Sequence, residues 1–242
     1  MRALQEAVNA DLRRYPDPEG GTSFGADGFA LVQGVMSASD CDAIAPRLAM
    51  AAAGSAGTRC LLPFAWCRAL AERLRGDPKL AAFIPADYVA AQCTYFEKSI
   101  SRNWLVAMHQ DLSIPVAARV DDAGLRGWSQ KEGSLFVQPP VEVLERLLAV
   151  RVHLEACTLG DGPLQVVPGS HLHARIAPEA AARARRTGPV VACTAERGDA
   201  LLMRPLLLHA SSKATGTSLR RVLHFLFGPR DLPLGLRWQH AV

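Results

Sequence analysis

A chain of 242 residues that is 49% apolar is long enough for a single domain with a sizeable core. Its net charge of +4 is spread over 27 basic and 23 acidic side chains with no basic run longer than Arg185-Arg186 or Arg220-Arg221, and its few aromatics form no stacking platform, which speaks against a nucleic-acid partner. Six cysteines, at 41, 60, 67, 93, 157 and 193, lack Cys-x-x-Cys pairing and scaffold spacing and read as reduced, mostly buried thiols; no apolar run is long enough to span a membrane. The reading is a soluble, cytoplasmic protein.

In chain order, Met1 to Arg14 reads as an amphipathic helix rather than a signal peptide. A Pro-, Gly- and Asp-rich loop follows over 15–27, and then a short strand over Gly28 to Gln33. Ser37 or Ser39 can cap a helix over Asp40 to Ala53, and a second helix over Ala65 to Arg75 ends where Gly76-Asp77-Pro78 breaks the pattern. The Ala- and Gly-rich Ala51 to Thr58 between them reads as a loose connection, with a lid as the alternative. Residues 1–87 thus form a helical buttress.

From Tyr88 the texture changes to strands over Tyr88–Glu97, Leu105–Leu112, Ser134–Val137, Val150–Glu155, Pro163–Val167, Val190–Cys193, Ala200–Met203 and Arg221–Phe227. A helix over Val141 to Leu148 interrupts them, and Gly160-Asp161-Gly162, Pro168-Gly169 and Gly198-Asp199 supply turns. Many short strands split by turn residues predict a mainly β fold with flanking helices, a double-stranded β-helix or cupin-like jelly roll whose core is 88–228. The polar stretch between Pro115 and Ser134 is long for a strand connection and suits a mobile cover over a site.

The chemistry centres on His109-Gln110-Asp111. On a strand over Leu105 to Leu112, His109 and Asp111 point to one side and Gln110 to the other, so an imidazole and a carboxylate reach one point. A facial triad for non-heme iron needs a second His. His209, after the apolar run Leu206-Leu207-Leu208, reads as the end of a buried strand and is the natural third ligand. Beyond a polar connection over 211–218, Arg220 shares a strand face with Val222 and His224, whereas Arg221 lies with Leu223, Phe225 and Phe227, so one of the two can point inward. A guanidinium there suits a carboxylate.

With these residues in hand, the stretch 88–228 resembles the phytanoyl-CoA dioxygenase family of Fe(II)/2-oxoglutarate oxygenases. The family order is H-x-D, a Gly-Pro-Leu strand closing in Pro-Gly-Ser-His, Gly-Asp, and a distal His followed eleven residues later by Arg. Here these are His109 and Asp111, Gly162 to His171, Gly198-Asp199, His209 and Arg220. The resemblance implies Fe(II) held by His109, Asp111 and His209, and 2-oxoglutarate with its far carboxylate on Arg220 and Ser211. Gln92 and Thr94, on one face of the first long strand, are the further co-substrate candidates it suggests. It also implies O2-driven decarboxylation to succinate and CO2, coupled to hydroxylation of an unactivated C–H bond in a small-molecule metabolite or natural-product intermediate. Asp111 argues against halogenation, which in related enzymes goes with a small residue at that position.

Arg151 and His153 alternate on one strand face and, if inward, are substrate contacts; Trp104, just before the ligand pair, could line the substrate pocket, and Trp128 could belong to the cover. His171 is expected to shape its turn, and His173, His224 and His240 to be structural. Two alternatives stand beside the oxygenase: a protein or peptide hydroxylase, and a non-oxygenase metal-binding cupin-like barrel that has no need of Arg220.

Overall fold

The computed structural model describes residues 23–51 and 57–242. The expected helix over Met1 to Arg14 and the middle of the 51–58 connection lie outside them. The larger of two principal antiparallel sheets orders its strands as β1 (Phe29–Val32), β11 (Ala200–Met203), β8 (Leu148–His153), β13 (Arg220–Pro229), β3 (Tyr88–Lys98) and β2 (Gly57–Thr58). The smaller sheet runs β10 (Val191–Cys193), β9 (Leu164–Val166), β12 (His209–Ser211) and β4 (Val106–His109). Together they form the jelly roll, mostly β with few helices, that the strand pattern predicts.

Alternation along the central strands decides what faces where. On β13, Leu223, Phe225 and Phe227 are buried with Cys93 and Tyr95 of β3 and Val150 and Val152 of β8 on the outer face of the large sheet. That face is covered by α2 (Ala38–Ala51), through Cys41, Ile44 and Leu48, and by α3 (Ala65–Arg75), through Cys67, Leu70 and Leu74. These are the two helices of the buttress. Helix α2 starts one residue after Ser37, whose Oγ accepts from the Asp40 amide at 3.1 Å while Asp40 Oδ2 accepts from the Ser37 amide at 3.2 Å. That reciprocal cap makes the helix start two residues earlier than expected. With the outer face spent on helices, Arg220, Val222, His224 and Leu226 of β13 look into the roll.

The 115–134 stretch is more ordered than a loop. Strands β5 (Ile114–Val116), β7 (Ser134–Gln138) and β6 (Arg126–Lys131) form a third, three-stranded sheet, and the β6–β7 turn is tied down at Glu132. Its carboxylate accepts from Thr58 Oγ1 at 2.6 Å and from the Arg59 amide at 2.8 Å. Other expectations shift at their ends: α4 (Val141–Glu145) stops three residues short of Leu148, and a helix α5 (Pro178–Thr187) with Pro at its start occupies a stretch to which the sequence assigned no element. Helix α1 (Ser23–Asp27) lies in the expected loop. All six cysteines are free thiols, five of them buried. Among the described residues, no helix is long and apolar enough to cross a membrane.

Gly198 joins the turn before β11 to both neighbours, donating to the His153 carbonyl at 2.8 Å and accepting from the Met36 amide at 2.9 Å. Its φ is +88°, and a Cβ there would lie 2.1 Å from the Met36 carbonyl oxygen. Gly198→Ala should therefore destabilise by about 2 kcal/mol or more. Thermal melting should fall by roughly 4–8 °C, whereas Gly76→Ala, where the nearest atom is 3.6 Å away and φ is −87°, should melt as the parent does.

Candidate active site

Strand pairing brings the two histidines together. In the β12–β4 ladder His209 lies directly opposite His109, and the register slips by one residue between this pair and Ser211 opposite Val106. The slip, one extra residue on β4, leaves both rings on the same side, with centroids 4.2 Å apart. Asp111 closes the cluster, its Oδ1 3.8 Å from His109 Nε2 and its Oδ2 3.7 Å from His209 Nε2. The ligand atoms of the three residues lie within 4.8 Å of one another, the only such group of His, Cys, Asp or Glu among the described residues.

Each imidazole is held in one tautomer. His109 Nδ1 donates to the Ala107 carbonyl at 2.8 Å and His209 Nδ1 to the Leu207 carbonyl at 2.9 Å. With the proton on Nδ1, both Nε2 lone pairs face Asp111, as metal ligands require. Burial holds the His209 pKa down at about 4 against the opposing pull of Asp111, so it is neutral at pH 7. For Asp111, burial pushes the pKa up, but electrostatic interactions with the surrounding His209, His224, His109 and Arg151 outweigh it and the carboxyl stays below its ordinary value. Two imidazole nitrogens and one carboxylate that open onto a cavity fit a divalent transition metal.

Asp111 does not reach this point by strand alternation alone. The strand ends at His109, so the expected Leu105–Leu112 strand is corrected, and Asp111 is fixed by its own amide, which donates to the Pro205 carbonyl at 2.9 Å. Leu206-Leu207-Leu208 is likewise a turn rather than a strand; β12 begins at His209. Gln110 points away, as alternation requires, and its amide pins two other segments, 174–176 and Leu206. Its Nε2 donates to the Ala174 and Leu206 carbonyls at 2.7 and 2.6 Å, and its Oε1 accepts from the Ile176 amide at 2.8 Å. The metal-side loop is thereby tied to the chain before α5.

The cluster opens into a cavity of about 470 Å³ whose lining includes Gln92, Thr94, Trp104, Arg151, Ser211 and Arg220. Arg220 is 4% exposed and donates through Nη1 to the Gly162 carbonyl, which also accepts from Ser211 Oγ at 2.9 Å. Gly162 has φ +62°, and a Cβ there would lie 2.4 Å from the Ser212 carbonyl, so only glycine brings its carbonyl this close. Arg221 faces out onto Glu155, with Nε 2.8 Å from Oε1, which settles which of the two arginines enters the roll. Gln92 Nε2 donates to Thr94 Oγ1 at 2.8 Å.

Sequence reasoning did not assign a role to Lys98, although alternation places it on the face of Gln92 and Thr94. It is 1% exposed, donates to Ser211 Oγ at 2.7 Å and to the Ser212 carbonyl at 2.5 Å, and its ammonium lies 5.6 Å from the Trp104 ring centroid. Burial, with the nearby Arg220 charge, lowers its pKa to about 8. A second cation therefore stands beside Arg220 at the Ser211 end of the cavity.

Arg151 lines the cavity as expected, but His153, one step along the same face, does not reach it; among the described residues neither of its ring nitrogens has a partner, and burial lowers its pKa to about 3. His224, expected to be structural, lines the cavity and holds Arg151. Trp128 packs with the third sheet instead, under the Arg119 guanidinium at 5.1 Å. His171 shapes its turn: its ring covers Gly28, and its Nε2 lies 3.1 Å from the Gly25 carbonyl.

A double-stranded β-helix with two histidines and one carboxylate converging inside it, and buried cations on the opposing face, defines a class of non-heme metal enzymes built on this roll. The chain belongs to the phytanoyl-CoA dioxygenase family, whose model matches residues 24–222. No curated protein matches it. Among solved structures, AviO1 from Streptomyces viridochromogenes Tue57 is 22% identical, with 87% of this chain and 94% of that one covered at a TM-score of 0.61. The non-heme alpha-ketoglutarate-dependent epimerase SnoN from nogalamycin biosynthesis is 18% identical over 97% and 88% of the two chains, with a TM-score of 0.59. HygX from Streptomyces hygroscopicus, solved with nickel and 2-oxoglutarate bound, is 18% identical over 85% and 84%, with a TM-score of 0.56. These likenesses bear out the jelly-roll fold.

The buried Lys98 yields a stability test. Its folded pKa lies below the ordinary 10.5, so the unfolded chain holds this proton more tightly. The cost of burying the charge is full below about pH 8 and is relieved as pH rises towards 10.5. Lys98→Met should stabilise the ligand-free protein at pH 7 by about 1–2 kcal/mol, and this gain over the parent should shrink above pH 8 in denaturant titrations.

Proposed function

We propose that this protein is an Fe(II)/2-oxoglutarate-dependent oxygenase that hydroxylates an unactivated C–H bond of a small-molecule metabolite or natural-product intermediate. The carrying observation is the pairing of two sites in one cavity: His109, Asp111 and His209 with their ligand atoms facing one another, and Arg220 with Ser211 at the Gly162 end. Family membership supports the reading, and so do similar folds described as non-heme alpha-ketoglutarate-dependent or solved with metal and 2-oxoglutarate. Fe(II) and 2-oxoglutarate, when bound, supply O2 activation with release of succinate and CO2.

The chain's own residues bind, orient and exclude water. His109, Asp111 and His209 would hold the metal and leave the cavity open to the co-substrate. Arg220 offers its guanidinium to the far carboxylate, Ser211 Oγ and the Lys98 ammonium add donors beside it, and Gln92 and Thr94 line the wall between. Trp104 and Phe136 add apolar wall to the same cavity and help keep water from the reacting bond. A barrel that only bound metal would gain nothing from burying two cations opposite it, since such charges are costly without an anion. Asp111 argues against halogenation but leaves desaturation, ring formation and epoxidation open beside hydroxylation, the outcome we favour.

Under anaerobic conditions, adding Fe(II) and then 2-oxoglutarate to metal-free protein should produce a weak visible charge-transfer band. His109→Ala should abolish it. Arg220→Ala should raise the 2-oxoglutarate needed by about 30-fold or more, as loss of a buried charge partner does. Admitting O2 should release succinate. A well-folded wild type that never shows the band would overturn the assignment.

The same titration has a pH signature. Lys98 titrates near 8 without ligand, and a dianion beside it raises that value, so binding takes up a proton at higher pH. Affinity for 2-oxoglutarate should be full below about pH 8 and fall as pH rises through it; Lys98→Met should bind more weakly at pH 7 but lose this limb.

A further inference from the structure

The cavity carries more positive charge than the proposed cofactors use. Its basic lining residues are Arg59, Lys98, Lys131, Arg151 and Arg220, and Asp111 is its single acid. Asp111 is committed to the metal, and Arg220 with Lys98 to the far carboxylate of the co-substrate. Arg59 is already paired with Glu132 at 3.3 Å, and Lys131 rests on the Phe136 ring at 5.0 Å. Arg151 remains.

Arg151 is 7% exposed and, among the described residues, meets no carboxylate. Its single hydrogen bond among the described residues runs from Nη1 to His224 Nδ1 at 2.9 Å, and its buried Nε has no partner. The guanidinium carbon lies 5.4 Å from the Phe96 ring centroid. Burial lowers the His224 pKa to about 3, so at neutral pH this imidazole is an uncharged acceptor. Both neighbours orient the guanidinium without cancelling its charge. Arg221, only three strand positions from His224, shows the contrast: facing outward, it is neutralised by Glu155. A buried arginine held only by neutral partners is a costly arrangement unless an anion arrives.

The position differs from that of the co-substrate cations. In the β13 ladders His224 pairs with Arg151 on one side and Thr94 on the other, whereas Arg220 pairs with Lys98, four residues along the strand. Arg220 and then Asp111 act electrostatically on Arg151, and Asp111 acts on His224, so the pair lies within reach of the metal cluster as well as of the co-substrate cations. Apolar wall follows: Leu226 is next along the inward face of β13, and Leu144, Leu147 and Ile114 line the same cavity.

We propose that Arg151 is a substrate-anchoring residue: the prime substrate carries a carboxylate, which the Arg151 guanidinium grips while an apolar body lies along Leu226, Leu144 and Ile114 and presents its C–H bond to the metal. This rests on the oxygenase reading above. His224 and Phe96 are positioning residues for that guanidinium. A single monovalent cation with one nitrogen already engaged suits a carboxylate better than a dianionic phosphate, which would call for more donors.

The test uses full-length protein loaded with Ni(II) and 2-oxoglutarate, which cannot turn over, and calorimetric titration with octanoate and its uncharged counterpart octanamide. The wild-type complex should hold octanoate at least about tenfold tighter than octanamide, a difference of about 1.4 kcal/mol. Arg151→Gln should remove the difference, Arg151→Lys should keep part of it, and both should bind 2-oxoglutarate within about twofold of wild type. Equal binding of the two probes by the wild type, or binding of neither, overturns the inference, and this comparison stands even if Arg151→Gln fails to fold. A tenfold or greater loss of 2-oxoglutarate affinity in a folded Arg151→Gln also overturns it, because Arg151 would then serve the co-substrate. Failure of wild type to bind 2-oxoglutarate at all overturns the oxygenase reading and this inference together; normal co-substrate binding without discrimination overturns the inference alone.

Discussion

The site depends on one strand pairing. His209 stands opposite His109 in the β12–β4 ladder, and the extra residue on β4 keeps both rings on the side where Asp111 arrives. A one-residue slip in that ladder would send one ring to the other face and dissolve the cluster. The register is held from outside the cluster. Gln110 ties the loop after β4 to the Ala174 and Leu206 carbonyls, and β9 holds β12 along its other edge, with Val166 opposite His209 and Leu164 opposite Ser211.

The large sheet makes room for polar chemistry by dividing its two faces. Its outer face is closed by α2 and α3 over Phe225, Phe227, Val150 and Val152, a continuous apolar layer that carries much of the burial. The inner face can then hold Arg151, Arg220, Lys98 and His224, none of which contributes to stability as an apolar residue would. Such groups persist where a ligand completes them. The Gly162 carbonyl, gathering Ser211 Oγ and the Arg220 guanidinium at one point, orders the donors at one end of the cavity before any ligand is present.

Much of this was legible from residue order. Period-two alternation on β3 and β13 sorts Gln92, Thr94, Phe96 and Lys98 from Cys93 and Tyr95, and Arg220 from Arg221, because a buried sheet leaves a strand no other choice of face. The same logic misled where strands stop. Leu206-Leu207-Leu208 is apolar because a buried turn also needs apolar contacts, and Asp111 lies past the end of its strand, placed by the Pro205 carbonyl. Arg151 and His153 share a face, yet only the first reaches the cavity, since a cavity is shorter than the strand that borders it.

By itself, then, the order of residues determined the fold class, the candidate ligand types, that one of two adjacent arginines turns inward, and the helices of the buttress, because these follow from local periodicity, caps and the spacing of chemically distinct side chains. Tertiary structure alone decided that His109 and His209 face each other with their Nε2 atoms towards Asp111, that Lys98 joins Arg220, that His224 holds Arg151, and that the 115–134 stretch folds as a third sheet latched by Glu132. Each of these depends on contacts between segments tens of residues apart, and such pairings are set by register, bulges and packing that no local pattern encodes.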